Sequence, residues 1–340
     1  MSAIRLLFTF AAFATFITAR AEEPFLHPHD VIALVGGEDM VVASELGLLE
    51  TLLQRALPSY QLKVRCLAWE GDTVFEQHRD LNYPTLEQQL EKIGATVVIA
   101  QFGQMESLAG KAHLAEFAEA YEKMIARLDG GGKRRLVLIA PTLFEKGGSS
   151  YSRPPDSSPL RSFAQPEPNL VLGEYRMQIG SIARSHGFPF VRGTLTKAEL
   201  LEQGREVEES FDSVWPSSAG TRNGVHSNIN GHGVLMMDLQ AALPELHAAR
   251  SNQGIDQDGR IVHPKRYEAI RQLIVTKNRL WFHYTRPQNW AFLAGDRTNQ
   301  PSSRDDKDPS KRWFPEELER FVPLIEAKEQ AIWAAAAKLK

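Results

Sequence analysis

Four short clusters hold the residues of this sequence that could do chemistry. The first is Gly36-Gly37-Glu38-Asp39, two carboxylates at the end of an apolar run. The second is Gly71, the third Gly103-Gln104-Met105-Glu106, and the fourth Asn223-Gly224-Val225-His226. A carboxylate beside an imidazole can act as a general base on water. It can also act as a nucleophile that forms an acyl or glycosyl intermediate. Backbone N–H groups and side-chain amides such as that of Gln104 can stabilise a developing oxyanion. Glu38 and Glu106 could form a carboxylate pair of the glycosidase type. The plainer reading makes Glu106 a solvated cap on the helix after the third strand.

Other chemistries find less support. Gly36-Gly37, with no further glycines and no Lys-Ser pair, is neither a dinucleotide fingerprint nor a phosphate-binding loop. His226 and His232 are not at a helical metal-ligand spacing, so no metal and no cofactor is expected. Cys66 is the only cysteine; it can form no intramolecular disulfide and reads as a small buried strand residue. Asp80, Asp212 and Asp238 read as surface or capping residues.

The elements that must position these clusters follow from periodicity. Val31 to Val35 is an unbroken apolar run, which suits a strand buried on both faces. Met40 to Leu57 has helical spacing and stops before Pro58. Gln61 to Leu67 alternates as a second strand, Thr85 to Ile93 is helical, and Thr96 to Ala100 is a third strand. His113 to Leu128 is a strongly periodic helix, and Leu136 to Ala140 a fourth strand. Asn169 to His186 is a helix, Pro189 to Val191 a short strand, Leu195 to Gly204 a short helix, and Val234 to Leu246 a further helix. Alternating strands and helices call for a parallel sheet with right-handed crossovers. Gly147 to Pro168, rich in Ser, Pro and Gly, reads as a long surface loop.

At 340 residues the chain is one large domain or two modest ones. Residues 1–21 read as a cleaved export signal: Arg5, an apolar stretch, then Ala19-Arg20-Ala21. Removing Arg5 and Arg20 takes the 39 basic residues to 37 against 42 acidic ones, and the net charge from −3 to −5. That mild acidity argues against a nucleic-acid partner. No later apolar run is long enough to span a membrane. The boundaries expected are therefore a signal at 1–21, a main domain at 22–250 and a helical extension at 251–340. In the extension, Lys265 to His283 and Glu316 to Lys340 read as helices. Trp281, Trp290 and Trp313 would anchor it on the main domain, with a carbohydrate-stacking surface as the alternative.

The order and spacing of the four clusters resemble the SGNH/GDSL hydrolase family over roughly Asp30 to Leu246. The resemblance implies a flavodoxin-like three-layer α/β/α sandwich with a parallel sheet, here carrying the helical extension. In that family the blocks supply a serine nucleophile after Gly-Asp, a glycine, a Gly-x-Asn, and an Asp-x-x-His. The glycine amide, the asparagine amide and the serine's own N–H form the oxyanion hole. Placed on these blocks, Gly36, Gly71, Gly103 and His226 match. Gly37 stands at the aspartate before the nucleophile, Glu38 at the serine, Met105 at the asparagine and Asn223 at the triad aspartate. Gln104, one residue from the asparagine position, could restore the donor through a bulge. The resemblance thus implies either an altered hydrolase of small-molecule or glycan esters, built on Glu38, His226 and Gly71, or a degenerate relative that binds a carbohydrate or protein partner.

Overall fold

Short runs of Val, Ile and Leu, with turn residues after each, make the sheet. The computed structural model describes residues 23–79, 82–144, 166–193, 221, 224–247, 254–255, 261–262, 265–287 and 293–339. The expected signal segment, residues 147–165 of the Ser/Pro/Gly-rich loop, the expected 195–204 helix, Asp80, Asp212, Asn223 and Trp290 lie outside the described residues.

Five strands, β1 (Val31–Gly36), β2 (Lys63–Cys66), β3 (Val97–Gln101), β4 (Arg135–Ile139) and β5 (Phe190–Val191), pair in the order β2-β1-β3-β4-β5. Every pair is parallel. This is the flavodoxin-like order. Its direction of winding reverses between β1 and β3, and ligands of such sheets lie in the crevice beyond those strand ends.

Strand alternation sends Ile32 and Leu34 into one apolar layer and Ala33 and Val35 into the other. Helices α1 (Glu38–Leu46) and α2 (Leu48–Ala56) cover the first layer, together with α7 (Ile229–Ala242). The second layer lies under α3 (Leu86–Lys92), α5 (Leu114–Asp129) and α6 (Pro166–His186). The four-residue helix α4 (Gln104–Ser107) follows β3 directly. A capping box in which Thr85 and Gln88 exchange hydrogen bonds starts α3.

The single helix expected over Met40 to Leu57 is two. Gly47 caps α1 and opens α2 in a left-handed conformation, φ 67°. A Cβ there would come within 3.0 Å of Ile274 and 3.2 Å of Val275. Both belong to the extension helix α8 (Lys265–Thr285), so the break admits a helix that local periodicity does not reveal. The expected terminal helix is likewise two, α9 (Trp313–Glu319) and α10 (Phe321–Ala337). Pro323 lacks the N–H that would bond a carbonyl four residues earlier, so it suits the first turn of a new helix.

The extension covers the free edge of the sheet. β2 pairs only with β1, leaving a row of outward carbonyls. Leu62 O accepts from Gln54 Nε2 at 2.8 Å and from Trp333 Nε1 at 3.1 Å. Val64 O accepts from Lys277 Nζ at 3.0 Å, and Cys66 O from Trp281 Nε1 at 2.8 Å. Side chains of α8 and α10 thus occupy the groups on which another strand could pair. Trp281 is buried, so its face is not open to a sugar. Trp313 donates to Ser302 O within the extension.

Charge is buried at the same seam. Lys277 lies 2.7 Å from Glu50, both side chains nearly inaccessible, and Arg65 lies 2.5 Å from Glu329. Burial pushes the Glu50 carboxyl up and the Lys277 ammonium down, each against the pull of its partner. Cys66 is half-buried rather than buried, and desolvation raises its thiol to about 11, so it stays protonated at neutral pH.

Candidate functional site

The site forms where β1 stops. Gly36 has φ 141°, and a Cβ there would sit 2.2 Å from the Gln101 carbonyl of β3. Only glycine permits this crossing. Helix α1 begins at once, with Met40 and Val41 N–H bonding back to Gly37 O at 3.1 and 3.4 Å. Glu38 and Asp39 therefore fall in its first turn, where the helix dipole favours carboxylates.

The two carboxylates diverge, and both reach the segment that carries His226. Glu38 Oε2 lies 3.1 Å from His226 Nε2, the two side chains 24% and 22% exposed. Asp39 turns inward, is buried, and accepts the Ser227 N–H at 2.9 Å. Gln104 Nε2 donates to Val225 O at 2.8 Å, and Ser227 Oγ meets Thr142 Oγ1 at 2.9 Å. Three consecutive residues, Val225 to Ser227, are thus held from β1, β3 and β4.

Gln104 does not restore an oxyanion donor. Its amide nitrogen donates to Thr142 O at 2.9 Å as well as to Val225 O, so both hydrogens are committed. Met105, at the asparagine position, is 50% exposed on the rim. Gly71 sits in a left-handed turn, φ 83°, and among the described residues its N–H makes no hydrogen bond.

Glu106 caps α4 as expected, but it is not solvated. It is buried, with Oε2 accepting from Gly103 N–H at 2.9 Å and Oε1 from Val74 N–H at 2.8 Å. With both oxygens engaged, it ties the loop after β2 to the turn after β3 and is unsuited to pair with Glu38 as a glycosidase acid. Burial raises its pKa, partly offset by the backbone hydrogen bonds. A raised folded-state value adds stability below the ordinary carboxyl range, an addition lost as pH rises through that value. Glu106→Gln should flatten this dependence. It should also cost about 1–3 kcal/mol at neutral pH, because an amide N–H would face a backbone N–H. Urea unfolding across acid and neutral pH measures both effects.

Together these groups line a cleft of about 290 Å³ that includes Gly37, Glu38, Gly71, Gly103, Met105 and His226. Asn223 lies outside the described residues. Ser227 and Thr142 were missed by sequence reasoning, and Asp39, singled out there as a carboxylate, was given no partner. Their roles depend on contacts across up to 188 residues, and only the position of Asp39 beside Glu38 hinted at one. Asp238 is half-buried rather than on the surface, and its carboxyl is raised by burial against the pull of Arg176. Among the described residues no three His, Cys, Asp or Glu side chains group as a metal site, and no helix is long and apolar enough to cross a membrane.

No protein-family model matches this sequence, and no curated protein does. Solved structures do. A gut microbial diltiazem-metabolizing enzyme matches 93% of this chain and 95% of its own, at 12% identity and a TM-score of 0.50. A Slackia heliotrinireducens protein described as a putative SGNH hydrolase matches 63% of this chain and 98% of its own, at 14% identity and a TM-score of 0.39. An acetyl xylan esterase matches 62% and 98%, at 15% identity and a TM-score of 0.38. The match to the diltiazem-metabolizing enzyme shows a shared α/β fold, with the parallel sheet order of a flavodoxin-like sandwich. The match to the diltiazem-metabolizing enzyme is long enough to take in most of the helical extension as well.

Within that fold, the groups left in the cleft limit what it can do. Glu38 offers a carboxylate to His226 where the SGNH/GDSL hydrolases that the sequence resembles have a hydroxyl, and Gly71 offers one backbone donor. The arrangement can bind a polar ligand, or hold a water between a carboxylate and an imidazole.

Proposed function

We propose that this protein is exported and keeps the SGNH cleft as a binding site for a glycan or small-molecule ester, after loss of the serine mechanism. The observation that carries this reading is the Glu38–His226 contact of 3.1 Å. A carboxylate faces the imidazole from the nucleophile's position. Loss of the serine nucleophile costs on the order of 10⁶ in turnover. Loss of one oxyanion donor costs roughly 10²–10³. An amide in place of the triad carboxylate costs about 10⁴, because the imidazole loses its tautomer. Such losses do not add, but the first alone ends acyl-serine chemistry.

A second reading is an altered esterase in which the Glu38–His226 pair activates water. Among the described residues the Gly71 N–H makes no hydrogen bond, which favours this reading by leaving one oxyanion donor available. General-base assistance of this kind contributes typically 10²–10⁴-fold.

One experiment separates the two. The mature chain, Glu38→Ala and His226→Ala are assayed on p-nitrophenyl acetate. Binding of an acetylated xylo-oligosaccharide, chosen as a representative acylated glycan, is followed by calorimetry. The binding reading expects the same flat baseline for all three proteins, with affinity weakened in the variants. Turnover that vanishes in both variants would establish the altered esterase. Absence of both turnover and binding would remove both readings for this ligand class.

A further inference from the structure

The loop that carries Gly71 is gripped residue by residue, and much of the grip comes from the end of the extension helix α8. Arg286, just past that helix, donates through Nη2 to the Ala68 carbonyl and through Nη1 to the Glu70 carboxylate at 2.7 Å. Its guanidinium also lies over the Trp69 ring, 4.5 Å from the centroid. Arg79 lies over the same ring at 4.2 Å and forms a two-pronged pair with Asp72, each bond 2.8 Å. Tyr83 meets the Trp69 ring edge-on at 5.5 Å, and its hydroxyl donates to the Thr285 carbonyl at 2.7 Å. Residues 68, 69, 70 and 72 are therefore each fixed by a side chain, with Gly71 between them.

Gly71 itself gains nothing from its neighbours. A Cβ added there would meet no atom within 4 Å, and its left-handed φ is the reason for a glycine. One backbone bond, Asp72 N–H to Trp69 O at 3.1 Å, closes the turn, and because glycine has more backbone freedom to lose than any other residue, the flanking side chains add to its rigidity. Planar two-pronged guanidinium contacts and stacking on an indole supply rigidity that a lysine ammonium cannot reproduce.

We propose that Arg286 is a positioning residue: it lets the C-terminal extension set the Gly71 amide at the cleft. The proposal rests on reading the cleft as the ligand site. It assigns the extension a part in that site in addition to covering the edge of β2. Arg286 touches no reacting group. It acts through Ala68, Trp69 and Glu70.

The test compares the full mature chain with Arg286→Ala, Arg286→Lys and, as a control in the extension, Arg320→Ala. Arg320 pairs with Glu317 at 3.0 Å on the surface. Backbone amide exchange should quicken at least tenfold at Asp72 and Thr73, whose N–H groups bond to the Trp69 and Glu76 carbonyls at 3.1 and 3.0 Å, in Arg286→Ala while 268–281 and β2 keep their rates. Arg286→Lys should recover only part of the protection, and Arg320→Ala should match the wild type. Affinity for the acetylated xylo-oligosaccharide, or turnover of p-nitrophenyl acetate if that is what the wild type shows, should fall about tenfold in Arg286→Ala. Unchanged exchange at Asp72 and Thr73, or an equal rise across β2 and α8, would overturn the proposal. So would full protection in Arg286→Lys with unaltered affinity. A wild type that neither binds nor turns over these probes defeats the proposed function alone, and the exchange data still decide the clamp.

Discussion

Lys277→Ala is expected to lower the free energy of unfolding by about 3–5 kcal/mol, a large part of the roughly 5–15 kcal/mol that stabilises a typical domain. Lys277 is completely buried and holds both Glu50 oxygens, at 2.8 and 2.7 Å, together with the Val64 carbonyl. Removing it strands a buried carboxylate whose pKa burial already raises. Glu50 would then ionise only at a cost, so the variant's deficit should grow as pH rises through the raised carboxyl value. The contrast is the double variant Glu50→Leu with Lys277→Met. Replacing a buried pair by apolar side chains of similar volume is often neutral or stabilising. Denaturant unfolding of the three proteins measures this directly. A Lys277→Ala deficit below about 1 kcal/mol would place the pair among the weak, solvent-exposed kind.

Serine-ester chemistry should not return with the nucleophile alone. Glu38→Ser puts a hydroxyl near His226, but the serine side chain is shorter than the carboxylate that now spans 3.1 Å to the imidazole. The Gln104 amide stays committed to Thr142 and Val225. Met105 offers no donor, and the residue at 223 is an amide. The single variant should therefore stay near the wild-type baseline on p-nitrophenyl acetate. Adding Met105→Asn restores a donor, worth roughly 10²–10³ in turnover. Adding Asn223→Asp restores the group that holds the imidazole tautomer, worth about 10⁴ in a complete triad. The triple variant should exceed Glu38→Ser by at least about 10³-fold and should react with a serine-directed covalent probe. If Glu38→Ser alone is labelled and as active as the triple, the oxyanion and acid positions assigned to Met105 and Asn223 are wrong.

Much of the scaffold was legible because strands buried on both faces are written as unbroken apolar runs. Val31 to Val35, Thr96 to Ala100 and Leu136 to Ala140 each lie within a residue of the strands that form. The order of the glycine-bearing turns could also be read, because a turn at φ 141° against the Gln101 carbonyl admits only glycine. The spacing of Glu38 and His226 on their blocks led to the same cleft in which the two side chains meet.

What the residues left undecided concerns partners far apart in the chain. Glycine at 47 is visible in the sequence, but the helix break it makes depends on Ile274 and Val275 arriving from the extension. A glutamate after a turn looks like a solvated cap; only the approach of Val74, 32 residues earlier, makes Glu106 a buried tie. An amide at 104 looks like a spare donor until the carbonyls of Thr142 and Val225 take both its hydrogens. Periodicity and turn chemistry are local properties of the chain, so the sequence alone settled where the sheet and its cleft would lie. Hydrogen-bond commitment and burial are set by whatever the fold brings alongside. The tertiary structure therefore decided which polar groups at the cleft are spoken for and which remain to meet a ligand.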